Sequence, residues 1–224
     1  MNPYIKIGLL FLLNYYCFEL GGIWFGLISL GINIYKILSL LGITWNPTIF
    51  LGRFEEGLVY TKDYYGSYTN HKEAFLEASK IIETFKLKNY ILIALYYDSP
   101  INVEESKLRS SIGIYRKKGF KEIISEELDK YCEEKGYNKT ELPETPSLYC
   151  IWEYFNYSSM IKGIQKFYNS ININLKNDNF KKKFNVDESK IGTFIEVYED
   201  INSSMNFYIP IGNKQRFMIF KKDK

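Results

Sequence analysis

Glu196 sits inside Phe194-Ile195-Glu196-Val197-Tyr198, an alternating stretch that reads as a β-strand. Successive side chains on a strand point to opposite faces. Ile195 and Val197 therefore share one face, expected to be the helix-covered core face, while Phe194, Glu196 and Tyr198 share the other. A carboxylate set among aromatic rings has two chemical uses. Desolvated, it favours a cationic partner, which the ring faces also attract. Beside a substrate, it serves as a general base. The competing reading is an ordinary exposed-face acid with its aromatic neighbours packed as core.

The rest of the chain narrows the chemistry by exclusion. His71 is the single histidine, so a multi-histidine zinc site is ruled out and any nucleophile–histidine pair would have to use it. It falls in the first turn of a predicted helix and reads as a solvated surface residue. Cys17, Cys132 and Cys150 are scattered, form no disulfide framework and point to a reducing compartment. No metal cluster, phosphate loop or cofactor motif stands out, and no cofactor is expected. The 29 Lys and Arg are balanced by 26 Asp and Glu along the whole chain. A nucleic-acid partner is therefore not expected, because it would need a concentrated basic face. The densest basic run, Lys181–Lys183, reads as a solvated loop.

The elements that would position Glu196 occur twice. Gly57–Lys62 reads as a strand, followed by a turn at Tyr65-Gly66-Ser67-Tyr68. A helix over 69–85 then carries Phe75, Ala78, Ile82 and Phe85 on one stripe. Thr69 or Asn70 is its expected cap, with Glu73 completing a capping box. Strands follow at Tyr90–Tyr97 and Arg109–Arg116. The second half repeats the order: a strand at Ser147–Phe155, then a helix with Ile161, Ile164, Tyr168, Ile171 and Leu175 on one face. Strands at Thr193–Tyr198 and Met205–Ile211 complete it. The pattern predicts an α/β (α+β) fold of duplicated βαββ units, forming antiparallel sheet with helices on one face. Residues 117–146 are charged, include a predicted helix at Ser125–Lys135, and read as an insertion.

Ahead of this domain, Ile7–Tyr35 contains one formal charge, Glu19, and exceeds the ~20 apolar residues that cross a bilayer. One retained span near Ile7–Leu30 is the favoured reading. A cleaved signal peptide, a span shifted to Leu20–Leu41, and a hairpin turning at Gly21-Gly22 are the alternatives. Residues 1–35 are thus read as a membrane anchor, 36–56 as juxtamembrane, 57–212 as the domain and 213–224 as a short tail. Lys36, Arg53 and Lys62 after the span favour a cytosolic domain. The sequons at Asn138, Asn156 and Asn202 matter only in a lumen.

Four stretches carry a family likeness. They are Tyr65-Gly66-Ser67-Tyr68 before the first helix; Ala94-Leu95-Tyr96-Tyr97-Asp98-Ser99-Pro100 with Arg109–Ile114; Phe155-Asn156-Tyr157-Ser158-Ser159 at the second helix; and Ile195-Glu196-Val197-Tyr198-Glu199-Asp200 with Phe207-Tyr208-Ile209-Pro210. In this order, over residues 48–212, they resemble the GyrI-like (SOUL/effector-binding) domain family. Within it they resemble the endoplasmic reticulum members that carry one span and act as receptors in selective autophagy. The resemblance implies a cleft in which Glu196 holds cationic, apolar molecules, walled by Tyr68, Trp152, Tyr157 and Tyr208. It implies a membrane-anchored module that binds a protein partner or a small cationic aromatic ligand, without catalysis. A hydrolase acting on small electrophilic compounds, with Glu196 as base beside Tyr68 or Tyr157, is the alternative. The receptors recruit autophagy proteins through a long disordered tail, and only Ile211–Lys224 follow the domain here. Tyr208-Ile209-Pro210-Ile211 has the form of an aromatic-x-x-aliphatic binding motif, but falls in a predicted strand.

Overall fold

Apolar periodicity in this chain resolves into two kinds of element, a long helical stretch at the start and a sheet of alternating strands after it. The computed structural model describes residues 3–119, 126–187, 189, 191–199, 204–212 and 217–220. The chain divides into two units. One comprises Met1–Thr48, Cys150–Lys176 and Glu199–Met205; the other comprises Ile49–Tyr149, Asn177–Tyr198 and Asn206–Lys224.

In the first unit, α1 (Pro3–Leu40) is helical except at Gly22, whose φ of 71° and ψ of −176° break it. Only a residue without Cβ adopts that conformation readily. The Asn33 side chain donates to the Leu10 carbonyl at 2.9 Å across 23 positions. A straight helix would hold residues that far apart about 35 Å from each other, so the chain folds back at Gly22. The favoured single span at Ile7–Leu30 lies across this break, and the turn at Gly21-Gly22 is where the structure reverses. In the same unit α4 (Tyr157–Leu175) opens with a capping box between Asn156 and Ser159. Its buried face is Ser159, Gly163, Phe167 and Ile171, one position round from the predicted stripe, of which only Ile171 is fully buried. Trp152 explains the rotation: its indole lies against Gly163, where a Cβ would collide with the ring. Lys166 donates to the carbonyls of Ile43 and Trp45, both at 2.9 Å, and the Trp45 and Trp152 rings are 4.3 Å apart.

The remaining elements are β1 (Phe50–Phe54), β2 (Gly57–Tyr65), α2 (Lys72–Thr84), β3 (Ile91–Tyr96), β4 (Arg109–Lys117), α3 (Glu126–Glu134), β5 (Asn138–Leu142), β6 (Thr145–Glu153), α5 (Asp178–Phe184), β7 (Phe194–Glu199) and β8 (Ser204–Pro210). The eight strands form one sheet ordered β1-β6-β8-β7-β3-β4-β2-β5. The expected α/β repeat is present as β2-α2-β3-β4 and β6-α4-β7-β8, and the two repeats meet where β3 and β7 pair antiparallel. Two strands went unpredicted. β5, inside the supposed insertion, pairs with β2 at one edge, and β1, in the supposed juxtamembrane stretch, pairs with β6 at the other. The predicted helix at Ser125–Lys135 is α3, with Ser125 itself outside the described residues.

The two sheet faces in the second unit are covered differently. Val59, Ile93, Leu95, Ile195 and Val197 pack with Phe54, Tyr115, Leu142 and Phe217, and Met218, Ile219 and Phe220 lie against them. The opposite face receives α2 and α3: Lys62 pairs with Glu77 at 3.2 Å and Tyr60 donates to Asp129 at 2.5 Å. The expected assignment of faces is therefore reversed. Ile195 and Val197 pack beneath the C-terminal segment, and Glu196 lies on the helix-covered face. The start of α2 also differs. A 3-10 turn, Tyr68–Asn70, is capped by Ser67, and His71, not Thr69 or Asn70, is the N-cap of α2, without a side-chain cap bond.

Candidate functional site

Register places the site. In the β3–β7 ladder Ala94 faces Glu196, Leu92 faces Tyr198 and Tyr96 faces Phe194. Alternation then puts Tyr198 two residues beyond Glu196 on the same face, and Tyr96 diagonally across on its other side. The small Ala94 opposite leaves the carboxylate bracketed by two phenols. Tyr198 donates to Glu196 Oε2 at 2.5 Å, and the Tyr96 hydroxyl lies within the electrostatic influence of both. Glu196 is only 2% exposed. Burial, and next the Glu196 charge, push the Tyr96 hydroxyl well above its ordinary value, so it stays a neutral donor.

Aromatic rings from α2 and the turn before it pack against the two phenols that flank this acid. Phe75 meets Tyr198 edge-on at 4.9 Å, and Tyr68 meets Tyr96 edge-on at 4.7 Å. His71 stacks on Tyr96 at 6.0 Å, with Tyr64 and Tyr68 at 6.0 and 5.8 Å. The histidine is 6% exposed, in contrast to the surface role expected for it. The 3-10 turn rolls its side chain inward, where Nε2 lies 3.1 Å from Ser110 Oγ and Nδ1 finds no hydrogen-bond partner. Burial lowers its affinity for a proton.

Tyr68 is held by the backbone. Its hydroxyl lies 3.0 Å from the carbonyls of both Asp98 and Arg109 and accepts from the Asp98 amide at 3.2 Å. Chiefly through burial its pKa is pushed up to about 12. Asp98 in turn receives Arg109 Nε at 2.9 Å, Nη2 at 2.8 Å and the Arg109 amide at 2.9 Å. Burial works to raise the Asp98 carboxyl, but these bonds and the Arg109 charge outweigh it and hold it below the usual range. The pair fixes the ends of β3 and β4 and so fixes the Tyr68 ring.

Among the sequence-predicted site residues, Glu196 and Tyr68 share this cluster through Tyr96. Tyr208 packs on the side of Ile195 and Val197, its ring 5.4 Å from Phe54 and 6.1 Å from Tyr149, away from the Glu196 face. Trp152 and Tyr157 belong to the other unit. There Trp152 is buried against Trp45 and Gly163, and Tyr157 is exposed at the first turn of α4. Of the contacts Tyr96, Tyr198, Phe75 and His71, sequence reasoning set only Tyr198 beside Glu196. Tyr198 was legible as a same-face neighbour of Glu196, whereas the other three depend on cross-strand register and on the roll of the 3-10 turn. Among the described residues no group of three or more His, Cys, Asp or Glu is placed to hold a metal.

The sequence matches no family model and no curated protein. The chain is similar in structure to the C-terminal domain of EcmrR, at 10% identity, covering 75% of this chain and 98% of that one, with a TM-score of 0.44. It is similar to SAV2435 bound to tetraphenylphosphonium, at 13% identity, covering 74% and 94%, with a TM-score of 0.48. A hydrolase from Listeria innocua has 11% identity, with 80% and 98% covered and a TM-score of 0.43.

Proposed function

We propose that the sheet domain is a binding module for a small, apolar, aromatic cation, with Glu196 as the anionic anchor. One observation carries this reading: a carboxylate that is 2% exposed and bracketed by Tyr96 and Tyr198, against which Tyr68, Phe75 and His71 pack. A buried carboxylate held by neutral phenols gains by exchanging one phenol for a cation, and the rings supply cation–π attraction. The GyrI-like likeness of the motifs around Tyr68 and Glu196 supports the same use. The test is titration of ethidium into the purified protein. Wild type binds, Glu196→Gln weakens binding about tenfold or more, and thermal unfolding of the variant confirms an intact fold. Equal affinity in the two proteins overturns the assignment.

A hydrolytic use of Glu196 is the second reading. The 2.5 Å contact between Tyr198 and Glu196 favours it, since it holds a proton donor against a base. Tyr68 is a poor partner in such a reaction, because its hydroxyl already serves two backbone carbonyls. Turnover of an electrophilic ester that is lost in Glu196→Gln and kept in Tyr68→Phe would establish this reading.

The N-terminal apolar helix supports anchoring in a membrane. The motif likeness to testis-expressed protein 264, a reticulophagy receptor, extends this proposal to the endoplasmic reticulum with the domain facing the cytosol. Recruitment of an autophagy protein through Tyr208-Ile209-Pro210-Ile211 does not fit, because Ile209 and Pro210 are buried in β8. Protease protection in microsomes, with glycosylation scored at Asn138 and Asn156, tests the orientation. The third sequon, at Asn202, lies outside the described residues.

A further inference from the structure

Between residues 7 and 40 the two asparagine side chains are turned inward and most large apolar side chains outward. Asn14 and Asn33 are 8% and 6% exposed, while Leu20 and Trp24 are 86% and 75% exposed, with Phe11, Ile23, Phe25 and Ile28 similarly open. Asn33 hydrogen-bonds to the Leu10 carbonyl between the arms. Nearer the turn, Gly26 gives the Phe18 ring a place against the second arm, which a Cβ would fill. A helical pair in water would show the opposite distribution. This one is arranged for a solvent of acyl chains, with backbone bonds satisfied within the helices and side-chain amides turned inward.

We propose that these residues form a two-arm transmembrane hairpin, so that the N-terminus and the domain lie on the same side of the bilayer. The inference rests on the membrane anchoring proposed above and replaces one crossing with two. Arms 3–21 and 23–40 are about 28 and 27 Å long at 1.5 Å per residue, close to the ~30 Å hydrocarbon core. The tip gathers what hydrocarbon does not tolerate: the Glu19 carboxylate and the non-helical backbone at Gly22, beside Trp24, a residue suited to the headgroup layer. The Asn33–Leu10 register puts the positions of Lys6 and Lys36 level with each other at the foot. A lysine position on each arm there assigns the foot to the cytoplasmic face. Past the foot, Lys166 grips the carbonyls of Ile43 and Trp45, fastening the exit of the second arm to α4.

The experiment uses the full chain with an N-terminal epitope tag in sealed vesicles, together with Trp24→Cys in a Cys17→Ser background. The tag and the domain are digested together or protected together, and an impermeant maleimide reaches Cys at position 24 only from the opposite face. A tag protected while the domain is digested overturns the hairpin in favour of one span. Labelling at position 24 from the domain's own side, or from neither side, overturns the crossing. Intact mass spectrometry showing loss of residues 1–40 overturns it as a cleaved leader. Release of the protein by alkaline carbonate instead refutes the membrane reading on which the hairpin rests, whatever the topology results.

Discussion

Asp98 gathers three donors from one arginine, and its acidity makes that bracket measurable. Asp98→Asn should cost about 2 kcal/mol at pH 7, as expected for losing hydrogen bonds to a charged group. Because the folded pKa is depressed, the stabilisation is full above the ordinary carboxylate value of roughly 3.9 and is lost as pH falls through the folded value. Urea midpoints of wild type and variant should therefore differ at pH 7 and converge near the acid limit of folding. His71 has the same sign for a different reason. It is buried neutral, so the unfolded chain takes up a proton below roughly pH 6.5 that the folded one resists. Melting temperature should drop between pH 7.5 and 5.5, and His71→Phe should flatten that slope. At this scale the separate face of Glu196 was legible, because strand alternation alone sets it apart from Ile195 and Val197. His71 was not, because its burial follows from a 3-10 turn that periodicity does not register.

Helix α4 shows how much an element owes to particular residues at its start and along its buried side. Asn156 accepts from the Ser159 amide at 2.9 Å and Ser159 Oγ accepts from the Asn156 amide at 2.9 Å. Asn156→Ala should destabilise by about 1 kcal/mol, read as a shift in the denaturant midpoint. Gly163→Val puts a branched side chain where the Trp152 indole lies. Overpacking of this kind costs typically 1–3 kcal/mol, and a red-shifted, quenched tryptophan emission would report the displaced ring. The helices were legible in outline, but the predicted stripe missed the buried face because Gly163 and Ser159 carry no hydrophobic signal. The edge strands escaped for a related reason. Asn138–Leu142 reads Asn-Lys-Thr-Glu-Leu, and Phe50–Phe54 contains a glycine and an arginine. Such composition protects a sheet edge and hides it from an apolar pattern.

Across the whole molecule the repeat is what sequence conveyed and strand order is what it left open, since pairing between distant strands leaves no local periodicity. With β3 and β7 in the middle of the order and β1 and β5 at its ends, hydrogen exchange should be slowest at Ile93–Leu95 and Ile195–Val197. It should be fastest in Phe50–Phe54 and Asn138–Leu142. Exchange that is uniform across the sheet would contradict that order. The same order has a consequence during synthesis. Strand β3 emerges with one side paired to β4 and the other open, and its partner β7 is encoded about a hundred residues later. At ribosomal speeds of roughly 5–20 residues per second, Tyr96 waits on the order of 5–20 s for Phe194. Throughout that interval the nascent chain displays a bare, apolar β-edge able to pair with any neighbouring strand. The first repeat is therefore the stretch of this chain most dependent on chaperone cover, and slowing translation between positions 97 and 193 should raise aggregation before it alters the finished fold.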